Sequence, residues 1–282
     1  MMRILITGAN GQLGNALQRI LHGEDLILKD LPEFDLTTPA CADQILAAKP
    51  QIVLHAGAYT NVDQAEREPE RAHAVNAEGT QRVADAAEAI HARLLYLSTD
   101  YVFDGTKGSP YREDDDPRPL NQYGLSKLKG EQAVLKRGAR ALIVRTSWVF
   151  GREGHNFVKT IMKAAHERSV LEVVADQRGC PTYAEDLARA LRELAFSDLR
   201  GICHVTNTGD CSWFEFAQAI LQQTGAPAVI RPITTAQAAR PAKRPVYSVL
   251  SHDRFAARYE PLPHWQDALA RFMRQGTPVL PA

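Results

Sequence analysis

Tyr123 and Lys127, in the segment YGLSK, are the residues of this sequence best placed for acid–base chemistry. Positions four apart lie on one face of a helix, so the lysine ammonium can approach the phenol. An ordinary phenol has a pKa of about 10, and a neighbouring cation lowers that pKa because it favours the phenolate. The pair predicts a tyrosine that protonates a developing alkoxide, or removes a proton in the reverse direction. The alternative is an amphipathic helix in which this short pattern is incidental.

Thr99 lies in the segment LSTDYVFDG, directly after an apolar run over residues 93–98 that predicts a strand. Open α/β sheets bind ligands at the carboxyl ends of their strands. Thr99 could therefore hydrogen-bond the same carbonyl oxygen that Tyr123 protonates. The alternative is that Ser98 and Thr99 cap a turn of the loop.

Gly8, Gly11 and Gly14 recur at three-residue spacing in TGANGQLG, between a predicted buried strand (residues 3–7) and a predicted helix (residues 12–21). Such a turn directs free backbone N–H groups at one point, which suits a pyrophosphate. Gly8 and Gly11 would allow close backbone approach, and Gly14 close packing of the helix on the sheet. The spacing is looser than G-x-G-x-x-G, and a tight turn without a ligand is the alternative.

The elements that must position these residues alternate between short apolar runs and helical patterns. Further strands are predicted at residues 26–28, 51–56 and 141–146, and helices at 40–48, 69–90 and 122–136. This order predicts an α/β fold with a Rossmann-type doubly wound parallel sheet. After residue 150 the pattern loosens, which indicates a smaller C-terminal α/β domain with some segments that return to the sheet.

Composition excludes several classes of protein. The chain has 282 residues, of which 45% are apolar, enough for a large core. Its formal net charge of zero argues against general affinity for nucleic acid or anionic membrane. No apolar run approaches the roughly 20 residues of a membrane span, and the first strand leaves no room for a signal peptide. Four isolated cysteines indicate reduced thiols in a cytoplasmic protein, and nine histidines lack metal-ligand spacing, so we expect no metal site.

Together with AYTNVDQAE, RTSWVFG, DQRGCPT and RPVYSVL, these segments resemble the extended short-chain dehydrogenase/reductase superfamily and, within it, the dTDP-4-dehydrorhamnose reductase family. The resemblance runs from Ile4 to about Leu250. It implies an NAD(P)-binding Rossmann domain over residues 1–150 and a mainly substrate-binding domain over residues 151–282. It also implies a triad in which Thr99 orients the keto oxygen, Tyr123 supplies the proton, and Lys127 holds the nicotinamide ribose.

The resemblance implies further binding residues. The cofactor contacts would be the three glycines of the loop, Tyr123 and Lys127, together with Gln12, Leu13, Asp35, Leu36, Ala58, Tyr59 and Thr60. The substrate contacts, besides Thr99 and Tyr123, would be Val62, Asp100, Tyr101, Trp148 and Arg244. Arg244 could meet the nucleotide pyrophosphate through a charge-assisted pair. The alternatives are core packing for Trp148 and a solvated loop position for Arg244.

Two positions leave the cofactor set open. Some members of the family form a magnesium-bridged dimer through an acidic residue in the first helix, but here that position is Ala16, although Glu185 matches a second acidic position. We therefore do not expect magnesium, and the chain would be a monomer or a homodimer. Lys29 and Asp30 sit side by side after the second strand, so the sequence supports either NADH or NADPH.

The resemblance implies reduction of dTDP-4-dehydro-L-rhamnose to dTDP-L-rhamnose for cell-surface polysaccharide. Sugar-nucleotide epimerases and dehydratases share the triad, but a dehydratase needs an Asp-Glu pair beside Thr99, where this chain has Asp100 and Tyr101. A regulatory subunit on the same scaffold would lack the triad or the pocket residues, and all are present here. We expect a nucleotide-sugar substrate and no nucleic-acid or membrane partner.

Overall fold

The structure, a computed structural model, describes residues 1–137 and 140–274. Its strands are β1 (Arg3–Thr7), β2 (Asp25–Lys29), β3 (Ile52–His55), β4 (Arg93–Thr99), β5 (Ala141–Thr146), β6 (Val149–Phe150), β7 (Val170–Val174), β8 (Arg178–Gly179), β9 (Thr182–Tyr183), β10 (Gly201–His204), β11 (Cys211–Ser212) and β12 (Val229–Ile233).

Its helices are α1 (Gln12–Ile20), α2 (Ala40–Ala48), α3 (Val62–Arg67), α4 (Pro69–His73), α5 (Thr80–Ala89), α6 (Gln122–Arg137), α7 (Phe157–Glu167), α8 (Ala184–Ala195), α9 (Trp213–Thr224), α10 (Thr235–Ala238), α11 (Asp253–Ala256) and α12 (Trp265–Arg274). Among the described residues, no helix is long and apolar enough to cross a membrane.

Six parallel strands form the central sheet in the order β2-β1-β3-β4-β5-β10. The order reverses at β1, where Ile4 lies opposite Leu26 of β2 on one side and Ile52 of β3 on the other. A crevice forms outside the carboxyl ends of the strands at such a reversal, and open α/β sheets bind ligands there. The predicted Rossmann-type doubly wound sheet is confirmed.

Helices cover both faces of this sheet because successive residues of each strand point to opposite sides. Ile4 and Ile6 are fully buried in a cluster with residues of α1 and α8, whereas Leu5 is fully buried with residues of α2 and α5. Burial on both faces explains why these strands are continuous apolar runs instead of alternating patterns.

A second core lies in the C-terminal half of the chain, where α7, α9 and α12 pack around an aromatic cluster that includes Phe150, Phe216 and Phe272. A parallel pair of strands, β7 and β12, flanks this core. Strand β10 from the same half pairs with β5 in the central sheet. The division of roles at residue 150 remains a prediction, and residues 275–282 of the second unit lie outside the described part.

The single helix predicted over residues 69–90 is interrupted. Between α4 and α5, residues Ala74–Gly79 form π-helical turns. Asn76 in these turns accepts a hydrogen bond from the Tyr59 N–H at 2.8 Å and donates to the Tyr59 carbonyl at 2.9 Å and to Ser126 Oγ at 3.0 Å. These bonds hold the loop after β3 against α6, a tertiary contact that helical periodicity alone does not reveal.

Candidate active site

A groove of about 620 Å³ lies over the carboxyl ends of β1, β3 and β4, at the reversal of strand order. Most of the predicted cofactor residues line it, namely Gly8, Gly11, Gln12, Leu13, Gly14, Asp35, Leu36, Ala58, Thr60, Tyr123 and Lys127. The fold therefore brings the glycine loop and the Tyr/Lys pair, more than 100 residues apart in sequence, to one ligand-sized cavity.

The glycine loop is as tight as its sequence predicts. Gly8 has a φ of +67°, a conformation that favours glycine, and a Cβ on Gly14 would lie only 2.1 Å from the Gly8 carbonyl oxygen. Helix α1 follows at once, with Gly11 as its N-cap residue. A glycine supplies no capping side chain, so the N–H groups of the first helical turn remain available to an anion in the groove. This arrangement fits the pyrophosphate of a dinucleotide.

Tyr123 is half-buried at the wall of the groove beside Thr99, and a hydrogen bond joins the two side chains. Burial raises the pKa of the Tyr123 phenol to about 12, because the phenolate is poorly solvated there. The Lys127 ammonium donates to the Leu97 carbonyl at 2.6 Å and lies 4.2 Å from the centroid of the Tyr96 ring. Burial lowers the pKa of Lys127 to about 7. The predicted lowering of the Tyr123 pKa is therefore wrong, since burial dominates and the ammonium is bonded to β4.

Two predicted substrate residues follow Thr99 in a short 3₁₀ turn. Tyr101 meets the Tyr123 ring edge-on, with 6.1 Å between centroids, and hydrogen-bonds Arg244. Asp100 is 2% exposed and accepts hydrogen bonds from Ser248 Oγ at 2.5 Å and from Thr99 Oγ1 at 3.1 Å. Burial raises the pKa of Asp100 to about 7. Its carboxyl therefore faces Ser248 and Thr99, and it holds the C-terminal segment against the end of β4.

Val62 and Trp148 lie on other elements. Val62 is the first residue of α3 and is half-buried. Trp148 has a φ of +48° and stacks on Trp213 with 3.5 Å between ring centroids. Within the described residues, the buried indole nitrogen of Trp148 has no hydrogen-bond partner, and it packs against Gly179.

Arg244 lines a second cavity, of about 1100 Å³, which sequence reasoning missed. Its guanidinium donates to Asp63 Oδ1 at 2.9 Å, which orients it and partly neutralises it. Four more cationic residues line this cavity, namely Arg168, Arg231, Arg240 and Lys243. The signal in the sequence is the segment of residues 234–245, rich in Pro, Ala and Arg, whose partners come from elements that are distant along the chain.

The side chains of two predicted cofactor contacts are hydrogen-bonded within the protein. The Tyr59 phenol donates to Glu68 Oε2 at 3.3 Å, and Tyr59 does not line the groove described above. The Gln12 amide donates to the His155 carbonyl at 3.2 Å and accepts from Asn156 Nδ2 at 2.9 Å. Gln12 thereby holds the loop after β6 at the edge of the groove. His155 in this loop also lines the groove, and sequence reasoning missed it.

The two adjacent charges after β2 are separated by the fold. Asp30 lines the groove, and its carboxylate accepts the N–H groups of Asn10 at 2.7 Å and Leu31 at 2.8 Å. Lys29 does not line it, because its ammonium donates to Gln44 Oε1 at 2.7 Å. The charge presented to a bound ribose at this end is therefore negative.

The positions that could hold magnesium do not fit a metal in this chain. Ala16 is fully buried, and the Glu185 carboxylate is paired with Arg19 at 2.6 Å. Arg19 also binds Glu153 at 2.8 Å. Its guanidinium therefore already occupies the place beside these two carboxylates that a metal cation would need. In the part of the chain that the structure describes, no group of three or more His, Cys, Asp or Glu side chains could hold a metal ion.

Comparison with known proteins finds a matching family model and similar proteins over nearly the whole chain. A family model described as RmlD substrate binding domain matches residues 2–277. A dTDP-4-dehydrorhamnose reductase of Mycobacterium tuberculosis is 44% identical over 95% of this chain and 91% of its own length. The spore coat polysaccharide biosynthesis protein SpsK of Bacillus subtilis is 40% identical over 98% of both chains.

Solved structures agree with these matches. The crystal structure of a dTDP-4-dehydrorhamnose reductase from Bacillus anthracis in complex with NADP is 41% identical, covers 98% of this chain and 99% of its own, and superposes with a TM-score of 0.94. A UDP-glucose 4-epimerase of Thermus thermophilus, solved with NAD, is 22% identical with a TM-score of 0.83 over 97% of this chain and 98% of its own, and so shares the fold.

Proposed function

We propose that this chain, which belongs to the RmlD substrate binding domain family, reduces the C4 keto group of dTDP-4-dehydro-L-rhamnose with NADPH or NADH to give dTDP-L-rhamnose. The observation that carries the proposal is the convergence of Tyr123 and Lys127 with the glycine loop at one cavity, with Thr99 hydrogen-bonded to Tyr123. A relative named dTDP-4-dehydrorhamnose reductase and a structure of one with NADP support it. The relative SpsK, named for spore coat polysaccharide biosynthesis, supports a role in making cell-surface polysaccharide, and we propose that the chain acts in the cytoplasm.

Tyr123 is the proposed proton donor. A bound nicotinamide would supply a hydride to C4, and the oxygen at C4 would gain negative charge. Because its pKa is about 12, the Tyr123 phenol keeps its proton at neutral pH and is available as a general acid. Thr99, which is hydrogen-bonded to Tyr123, would hold the same oxygen. Lys127 is placed beside them on the next turn of α6, where its ammonium would bind the nicotinamide ribose.

The second cavity is the proposed site of the nucleotide part of the substrate. Its cationic residues offer charge-assisted hydrogen bonds to a diphosphate. Arg244 connects the two regions, because it lines this cavity while it hydrogen-bonds Tyr101, which contacts Tyr123. The substrate would thus place its sugar near Tyr123 and its diphosphate near Arg244.

A second candidate substrate is another dTDP-linked 4-keto sugar. A relative in Streptomyces antibioticus, 42% identical, is named a probable dTDP-4,6-dihydroxy-2-methyloxan-3-one 4-ketoreductase. The same acid and hydride geometry would serve such a substrate, because both reactions reduce a C4 ketone. The sugar pocket would then differ in the ring substituents that it accepts.

The test is direct turnover. Purified protein is mixed with dTDP-4-dehydro-L-rhamnose and either NADPH or NADH, the loss of reduced-nicotinamide absorbance is followed, and the product is identified by NMR. Catalytic loss with formation of dTDP-L-rhamnose is expected. Isomerised sugar without net loss of NADPH would indicate an epimerase instead. Tight binding of the cofactor without any turnover would indicate a regulatory subunit, and sedimentation of the same sample would separate a monomer from a homodimer.

A further inference from the structure

Beneath the proposed active site lies a buried ion pair that the reaction does not use directly. The side chains of Glu131 and Arg145 are 1% and 2% exposed. Arg145 Nε donates to one carboxylate oxygen of Glu131 at 2.9 Å and Arg145 Nη2 donates to the other at 2.7 Å. A buried pair adds little net stability, because desolvation of both charges offsets their attraction. Because the pair lies under the groove, its role is to hold active-site residues in position.

Glu131 accepts a third hydrogen bond, from a second residue, and this bond indicates what the pair positions. Ser98 Oγ donates to Glu131 Oε1 at 2.5 Å. Ser98 immediately precedes Thr99 on β4, whereas Glu131 lies about two turns after Tyr123 on the same face of α6. The Glu131 carboxylate therefore joins the strand that carries Thr99 to the helix that carries Tyr123.

Arg145 is itself fixed, so the carboxylate that it holds cannot swing away. Its Nη1 faces His204 Nε2 at 3.5 Å, and His204 Nδ1 lies 3.1 Å from the Tyr111 carbonyl oxygen. The Tyr111 carbonyl can only accept, so His204 carries its proton on Nδ1 and presents Nε2 as an acceptor. The Arg145 guanidinium also lies 5.0 Å from the centroid of the Phe103 ring. Residues of β4, β5 and β10 thus fix the position of one carboxylate on α6.

We propose that Glu131 is a positioning residue of the reductase: by accepting the Ser98 hydroxyl it sets Thr99 and Tyr123 at the separation at which both meet one substrate oxygen. Arg145 orients the carboxylate and neutralises it. The inference rests on the proposed function, because it needs Thr99 and Tyr123 to act on the same atom. A displacement of about 1 Å between groups that act together can cost on the order of 100-fold in rate.

Two double variants separate this role from stability. Both Glu131→Gln/Arg145→Met and Glu131→Met/Arg145→Met remove the guanidinium, so neither leaves an unpaired buried charge. Glutamine retains an oxygen that accepts the Ser98 hydroxyl, and methionine, of similar length, does not. We expect the glutamine variant to retain kcat within about threefold, and the methionine variant to lose about tenfold or more. KM for the sugar nucleotide and Kd for NADPH should remain unchanged in both.

Melting temperatures and Kd values for NADPH, from fluorescence titration, are measured together with kcat. If Glu131 had a merely structural role, these quantities would change equally in the two double variants. Equal kcat in the two double variants would overturn the inference. If neither folds, Ser98→Ala in the otherwise unchanged chain replaces them: a similar loss of kcat at unchanged NADPH affinity supports the role, and an unchanged kcat overturns it. A wild-type chain without turnover would overturn the proposed function as well, whereas an active wild type with equal variants would overturn this inference alone.

Discussion

Burial, more than a neighbouring cation, sets the protonation state of Tyr123. The phenol lies beside the carboxyl of Asp100, which further disfavours the phenolate, while the hydrogen bond with Thr99 opposes both effects. A general acid must hold its proton until the substrate oxygen becomes more basic than itself. Burial therefore keeps Tyr123 in the protonated form that reduction requires. Lys127 contributes to the site through its position more than by acidifying Tyr123.

Tyr123→Phe removes the hydroxyl and leaves the ring in place. We expect cofactor affinity to change little and turnover to fall by about 100- to 10,000-fold, since this is the usual worth of general acid catalysis. Tyr259→Phe is the matched control, because the Tyr259 ring stacks on Phe255 near β10, away from the groove. Stopped-flow absorbance of NADPH measures both rates. A Tyr123→Phe enzyme at full rate would show that another group donates the proton.

Asp30 should decide between the two cofactors. Its carboxylate lines the groove with Lys29 turned away, so it can accept a ribose hydroxyl and should repel a 2′-phosphate. Asp30→Asn is expected to improve the affinity for NADPH relative to NADH by about tenfold, equivalent to about 1.4 kcal/mol. Fluorescence titration of both cofactors gives the ratio. Lys29→Gln should leave that ratio unchanged, and a change there would place the lysine at the ribose after all.

At the scale of elements, the close approach of α1 to the glycine loop is what forms the anion site. A Cβ on Gly14 would lie 2.1 Å from the Gly8 carbonyl oxygen and 2.6 Å from that of Ala9, and both are backbone atoms that cannot turn aside. Gly14→Ala should therefore push α1 away from the loop. We expect a loss of about 1–3 kcal/mol in the free energy of unfolding, typical of overpacking, together with weaker cofactor binding.

Gly23→Ala provides the control at the other end of the same segment, because nothing lies within 4 Å of the added methyl group. Urea denaturation and cofactor titration of both variants make the comparison. Equal stability of the two variants would mean that α1 shifts freely, and that the loop does not define the anion site.

The sequence predicts the elements whose signals are local. The glycine spacing, the apolar runs of β1, β3 and β5, and the helical spacing of Tyr123 and Lys127 are each visible within a short window. What it does not reveal depends on distant partners. The Glu131–Arg145 pair joins residues of two elements, and in the π-helical turns at Ala74–Gly79 Asn76 bonds a loop and α6. No periodicity encodes either contact.

For the molecule as a whole, two buried histidines link stability to pH. His55 lies between Thr7 and Thr80, and His204 between Arg145 and the Tyr111 carbonyl. Burial lowers the pKa of each to about 3, so both stay neutral in the folded chain and become charged on unfolding below pH 6.5. The stability that they contribute is present above pH 6.5 and is lost as pH falls towards 3.

Asp100 acts in the opposite sense, because its pKa is raised to about 7 and the folded chain then holds a proton that the unfolded chain releases. The two histidines outweigh this one carboxyl, so the free energy of unfolding should fall as pH is lowered from 6.5 to 5. His204→Gln should reduce that slope by about 1.4 kcal/mol per pH unit, the effect of one proton. Urea denaturation at several pH values measures the slopes. An identical slope in the variant would mean that the His204 imidazole already takes up a proton in the folded protein, and that its lone pair is not committed to Arg145.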